Sequence, residues 1–96
     1  MESSSQKQFE AAVKYTKDNP NGPKLSNEQR LAFYAFYKQG TVGDCTGKQP
    51  SRLKVVERAK YDAWKKIGGT SKEEAQKKFL KLMDETVPKW RSSAKL

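Results

Sequence analysis

Ser26-Asn27-Glu28-Gln29-Arg30-Leu31-Ala32-Phe33-Tyr34-Ala35-Phe36-Tyr37-Lys38-Gln39-Gly40 reads as one helix carrying its own start and stop signals. Ser26 followed by Gln29 forms a capping box, in which the hydroxyl and amide side chains satisfy free backbone groups of the first turn. Gly40 is a natural stop. Between them, apolar and aromatic residues cover most of the helix circumference. One face therefore packs on a core, and another must meet something else.

Working outward, the same periodicity recurs on both sides. Phe9, Ala12, Val13 and Thr16 fall on one face and predict a helix from about Gln6 to Lys17. Asp18-Asn19-Pro20-Asn21-Gly22-Pro23 halts it. Thr41 to Pro50 has no helical periodicity and reads as an ordered loop. A third helix is predicted from about Ser51 to Ile67, with Val56, Ala59, Ala63 and Ile67 on one face and Val55 and Trp64 nearby, ended by Gly68-Gly69. Ser71 with Glu74 gives a second capping box. The last helix then buries Ala75, Phe79, Leu82 or Met83, Thr86 and Trp90, with Pro88 placed to kink or end it. Lys89 to Leu96 reads as a basic, fraying tail. Strand-like alternation is absent, so the expected fold is an all-α bundle of four helices with one longer central loop.

Composition narrows the function. The 96 residues suffice for one domain, and with 34% hydrophobic and 32% charged residues the core must be thin. Two Trp, four Tyr and four Phe are too many aromatics for a disordered chain. Twenty Lys and Arg against eleven acidic residues give a formal charge of +9, which favours anionic partners: nucleic acid, acidic lipid or a phosphorylated small molecule. There is no His, which removes the commonest general base and metal ligand. The single Cys45 excludes an internal disulfide and a thiolate zinc cluster. The N-terminal residues contain no apolar signal region, and the longest near-apolar run, Leu31 to Tyr37, is far short of a bilayer span. A cytoplasmic location is expected.

Tyr34 and Lys38 stand one helical turn apart, so a phenol and an ammonium can converge on one point, with Tyr37 offering a flat ring beside them. That combination suits a phosphorylated purine. The same spacing also fits two core tyrosines and a solvated lysine, and periodicity alone does not choose between them.

The stretch Tyr34-Ala35-Phe36-Tyr37-Lys38-Gln39-Gly40-Thr41-Val42-Gly43-Asp44 resembles the signature of the acyl-CoA-binding protein family. Lys60-Tyr61-Asp62-Ala63-Trp64 resembles a second family signature, and Gly69-Thr70-Ser71-Lys72-Glu73-Glu74-Ala75 a third. Phe9-Glu10-Ala11-Ala12-Val13 and Leu25-Ser26-Asn27-Glu28 also fit family usage, so the resemblance spans about Phe9 to Asp84. It implies a four-helix up-down-down-up bundle holding one acyl-CoA. Residues 1–8 would be a polar N-terminal extension, 9–91 the acyl-CoA-binding domain and 92–96 a basic C-terminal tail.

The resemblance also implies a ligand set: Lys17, Leu31, Tyr34, Ala35, Phe36, Tyr37, Lys38, Lys60 and Phe79. Tyr34, Lys38 and Lys60 match residues that hold the 3′-phosphate of the CoA ribose. Tyr37 matches a tyrosine that stacks on adenine, and Lys17 a lysine at the nucleotide end. The acyl chain would lie in an apolar groove between helices. Phe79 stands where the family often has a tyrosine, Tyr61 where it has a tryptophan, and Val56 and Asn21 where lysines are common.

The function so implied is binding of medium- to long-chain acyl-CoA esters by an intracellular carrier and pool former in lipid metabolism. Such a carrier would be a monomer needing no cofactor or metal, and would meet acyl-CoA-using enzymes and membrane surfaces transiently. Its charge would assist encounters with anionic membranes, although no amphipathic anchor is evident. The alternative is a basic helical nucleic-acid-binding module, because seven of the positive charges lie between Lys48 and Lys66 against only Glu57 and Asp62. No recognition-helix pattern supports that alternative, and no nucleic-acid partner is expected. Catalysis is not expected either. Cys45 has no His to activate it, and Glu57 and Asp62, five residues apart, point to different faces.

Overall fold

The computed structural model describes residues 4–19 and 24–93. Asn21, the prolines flanking it, and the two chain ends lie outside the described residues. The chain forms α1 (Ser4–Asp18), α2 (Asn27–Thr41), α3 (Val55–Lys66), α4 (Lys72–Thr86) and a short α5 (Trp90–Ser93). Among the described residues there is no strand.

Side-chain pairings set the helix directions. Lys60 lies over the Tyr34 ring and Lys38 over the Trp64 ring, so α2 and α3 run in the same direction. A parallel pair requires the chain to return the length of a helix, which is the task of the long link from Val42 to Lys54. Gly40, near the end of α2, meets Gln76 in the first half of α4, whereas Phe33, two turns earlier in α2, meets Phe79, further along α4. Those two helices are antiparallel. Phe9, early in α1, reaches Gly40, while Lys17 at the end of α1 shares a cleft with Arg30. The order is thus up-down-down-up.

The core is built chiefly on α1, α2 and α4. Phe9, Ala12, Phe79, Leu80, Met83 and Trp90 form its buried cluster, with Phe33, Phe36 and Tyr37 packed against it. The Phe79 ring sits at 5.2 Å from both Phe9 and Phe33 in edge-to-face arrangements. Such pairs add about 0.5–1.5 kcal/mol each beyond area burial.

Both serine-marked helix starts carry the serine cap, but only the one at Ser26 forms the full box expected at each. At Ser26 the box is complete: Gln29 N–H donates to Ser26 Oγ at 3.1 Å, and Ser26 N–H donates to Gln29 Oε1 at 2.9 Å. Ser71 Oγ likewise accepts from Glu74 N–H at 3.1 Å. The end of α2 differs from expectation. Gly40, expected as its stop, lies inside the helix and is buried; the helix ends at Thr41 with Val42 as its C-cap. A Cβ on Gly40 would stand 3.0 Å from Gln76 Cγ and 3.2 Å from Phe9 Cζ, so this glycine permits close helix approach. The residue that does leave the helical region is Gly43, at φ +100°.

The helix after the central loop begins one turn later than expected. Ser51 to Lys54 forms a turn closed by Lys54 N–H to Ser51 C=O, and α3 starts at Val55. Val56, expected on the buried face, is exposed, as is Val55, because α3 has α2 as its principal packing partner and its first turn lies clear of it. Trp64 is buried as expected. On α4 the core position is taken by Met83, fully buried, rather than Leu82. The segment after Pro88 is docked rather than frayed through Arg91: Trp90 is fully buried, and its Nε1–H donates to Asp84 Oδ1. Arg91 donates to Asp84 and to Gln8 on α1.

The central loop is held by polar ties. Gln39 Nε2–H donates to Asp44 Oδ1 and to Thr70 C=O, and Gly69 N–H donates to the same carboxylate oxygen. Trp64 Nε1–H donates to Gly43 C=O, Tyr61 Oη–H to Gly47 C=O, and Gln49 Nε2–H to Asp62. These contacts seat the loop against the α2–α3 pair. No helix of the described residues is long and apolar enough to cross a membrane.

Candidate functional site

Where α1, α2 and α4 part at one end of the bundle they leave an open cleft of about 570 Å³. That size falls within the roughly 300–1,000 Å³ of small-molecule sites. Phe79 and Met83 of α4 floor it, with Val13 of α1 and Val87 beyond the end of α4. Phe33, Tyr34 and Tyr37 form the α2 wall. Lys17 and Arg30, both exposed, bring positive charge to the walls. The cleft thus joins apolar surface to aromatic planes and cationic donors.

The α2–α3 pair supplies the neighbouring charge. Lys60 Nζ stands 5.3 Å from the Tyr34 ring centre and Lys38 Nζ stands 5.2 Å from that of Trp64. The parallel direction of these helices places Tyr34, Lys38 and Lys60 around one another. Burial pushes the Tyr34 phenol above its ordinary value, with a smaller push from nearby Cys45. Tyr34 is therefore a neutral hydrogen-bond donor through the physiological range.

Four of the residues expected from sequence line the cleft: Lys17, Tyr34, Tyr37 and Phe79. Lys38 and Lys60 stand outside the lining: Lys60 lies over the ring of Tyr34, a lining residue, and Lys38, one helical turn beyond Tyr34, lies over Trp64. Leu31 is half-buried, Ala35 is buried, and Phe36 packs on the core cluster; these three stand outside the lining. Arg30 and Phe33 were not among the expected residues. The signal for both was available, since Arg30 is one turn before Tyr34 and Phe33 one turn before Tyr37. Met83 follows Phe79 by one turn of α4 and was expected as a core position rather than a site residue, whereas Val87 enters the lining because α4 stops at Thr86, which periodicity does not reveal.

Against known families, residues 6–83 match the model described as Acyl CoA binding protein. The chain belongs to the acyl-CoA-binding protein family. Its relatives include the Acyl-CoA-binding protein of Dictyostelium discoideum, 40% identical over 82 residues, covering 85% of this chain and 95% of that one. Acyl-CoA-binding domain-containing protein 1 of Arabidopsis thaliana is 46% identical over 67 residues, which are 70% of this chain but only 20% of that longer protein. The solution structure of acyl CoA binding protein from Babesia bovis T2Bo superposes with a TM-score of 0.78 at 41% identity, covering 88% of this chain and 96% of that one. Family members thus occur both at this length and as one domain of larger proteins.

The seven basic residues between Lys48 and Lys66 do not form one free stripe. Lys60 and Lys65 lie over tyrosine rings, and Arg58 stands 3.9 Å from Asp62. Nothing in this arrangement or in the comparisons favours the nucleic-acid reading. Among the described residues, no three His, Cys, Asp or Glu side chains cluster as a metal site would need.

Proposed function

We propose that this member of the family binds medium- to long-chain acyl-CoA esters and carries them between membranes and acyl-CoA-using enzymes, as a monomeric cytoplasmic carrier rather than a catalyst. The observation that carries this reading is the joining, in one cleft, of an apolar floor at Phe79 and Met83 to an aromatic and cationic wall at Tyr34, Tyr37 and Lys17. An acyl chain suits the first and a phosphorylated nucleotide the second. Tyr34, Lys38 and Lys60 are assigned to the 3′-phosphate, Tyr37 to the adenine, Lys17 to the nucleotide end, and Phe79 to the acyl chain by ring packing. Leu31, Ala35 and Phe36 act by holding the α2 wall in place.

The energetics divide between the two ends. Each charge-assisted hydrogen bond contributes roughly 1.5–3 kcal/mol, and stacking a base on a ring roughly 1–3 kcal/mol. Chain burial adds up to about 0.8 kcal/mol per methylene. The nucleotide end selects CoA, and the chain separates the thioester from free CoA.

Calorimetric titration of delipidated protein with palmitoyl-CoA, with CoA and palmitate as controls, tests the proposal. The expected result is near one-to-one binding of the thioester and much weaker binding of both fragments. No heat, and no competition at any acyl length, would overturn it.

A further inference from the structure

Four large apolar side chains are exposed among the described residues, and three of them fall within four positions: Leu53 at 93% exposure, Val55 at 70% and Val56 at 61%. A thin core makes this an unusual use of scarce apolar residues, and adjacent exposed apolar groups mark contact sites more often than scattered ones do. The group forms a projecting corner, where the turn at Ser51–Lys54 runs into the first turn of α3. Lys48, Arg52 and Lys54 are exposed around it, with no acidic residue between Lys48 and Lys54; Glu57 follows in α3. The register of the parallel pair places this corner relative to the cleft. Lys60 meets Tyr34 and Trp64 meets Lys38, so one turn earlier Val56 is level with Arg30, which lines the cleft.

We infer that the Leu53–Val56 corner docks this protein on the surface of an anionic lipid bilayer. Leu53 and Val55 enter the boundary between headgroups and acyl chains, while Lys48, Arg52 and Lys54 meet lipid phosphates and carboxylates. A single projecting leucine in a ring of cations suits a soft, laterally mobile surface, which needs no matching pocket. A turn, and not the face of an amphipathic helix, gathers the apolar residues of this corner. The inference rests on the proposed carrier function for its purpose but not for its geometry.

Co-sedimentation of the whole ligand-free chain with vesicles tests it. The probes are phosphatidylcholine vesicles with and without about one-third phosphatidylserine. The expected result is partition onto the anionic vesicles, weakened by salt and absent from phosphatidylcholine alone. The double variant L53S/V55S, which removes apolar surface and keeps every charge, should lower that partition at least about tenfold. R52E/K54E should lower it similarly, and provides a second route if the serine variant misfolds. Both variants should keep the palmitoyl-CoA affinity of the parent. Failure of the parent to sediment, or equal sedimentation of L53S/V55S, overturns the inference. So does a self-associated parent that becomes monomeric in L53S/V55S while vesicle binding stays constant, which assigns the corner to a second copy of the chain. The vesicles contain no acyl-CoA, so failure of the carrier reading would show separately, in the calorimetric titration.

Discussion

Tyr34 and Lys38 occupy one side of α2, and each is met by a residue of α3, Lys60 and Trp64 respectively. Two ammonium groups are therefore held beside a neutral phenol, with aromatic faces limiting where the lysine side chains can go. For the proposed phosphate site, Lys38→Ala removes one charge-assisted bond, worth roughly 1.5–3 kcal/mol, and should weaken palmitoyl-CoA binding by about 10- to 150-fold. Calorimetry reads the affinity and circular dichroism reads the fold, which should survive because Lys38 lies outside the buried cluster. Unchanged affinity in a folded variant would sink the phosphate site. Helical spacing set Tyr34 and Lys38 one turn apart on α2, but it was the family resemblance that added Lys17 and Lys60 and turned the pair from packing residues into expected ligand contacts. The apolar floor of the site was only partly legible in sequence. Phe79 and Met83 were visible as α4 core positions, whereas Val87 meets the cleft through the way α4 ends.

The helices were legible from caps and periodicity, and their up-down-down-up order from the family resemblance, but two features of the elements were not. The first is Gly40, whose residue type suggests a helix end and whose role is contact. In Gly40→Ala the gain in helix propensity, about 1 kcal/mol, competes with a Cβ placed 3.0 Å from Gln76 Cγ and 3.2 Å from Phe9 Cζ. Gln76 is itself tied by its Nε2–H to Gly40 C=O at 2.9 Å, and Phe9 is in the core, so neither yields freely. Overpacking costs typically about 1–3 kcal/mol, and the expected net effect is destabilisation, measured as a lower urea midpoint. The second feature is the segment after Pro88. Its charge and position suggest fraying, yet Trp90 supplies one of the largest buried side chains, and Asp84 holds both Trp90 and Arg91. The hydrogen bond from Arg91 is the main reason the Asp84 carboxyl lies below its ordinary value, with the Trp90 bond and the Arg91 charge adding to it against a partial cost of burial. The unfolded chain therefore takes up this proton at higher pH than the folded one. The contribution is complete above the ordinary carboxylate value of about 3.9 and is lost as pH falls through the depressed folded value. In a Trp64→Phe background, Trp90 fluorescence should report this loosening in acid. Adding Asp84→Asn should abolish that acid step and leave the C-terminal segment less firmly docked at neutral pH.

For the molecule as a whole, the cleft lies where α1, α2 and α4 separate, so a ligand filling it touches all three and has a complete partner only in the native arrangement. Binding to the folded state alone raises stability by about 2.7 kcal/mol at a ligand concentration 100 times the Kd holding at the transition temperature. A domain of this size shifts its Tm by roughly 4–8 °C per kcal/mol. Palmitoyl-CoA should then raise the Tm by roughly 10–20 °C. Free CoA at the same concentration should produce a much smaller shift, because it leaves Phe79, Met83 and Val13 unfilled. Palmitate should also produce little, because it offers no phosphate to Lys38 and Lys60. Lys38→Ala separates stability from binding: its Tm without ligand should stay close to the parent's, while its shift with palmitoyl-CoA shrinks. Differential scanning fluorimetry over a series of acyl lengths would read the result directly. If the shift rises with chain length and then levels off, the length at which it levels measures how much chain the cleft covers. Equal shifts with CoA and palmitoyl-CoA would mean that the acyl chain stays in water, and the floor at Phe79 and Met83 would lose its assigned role while the nucleotide end kept its own.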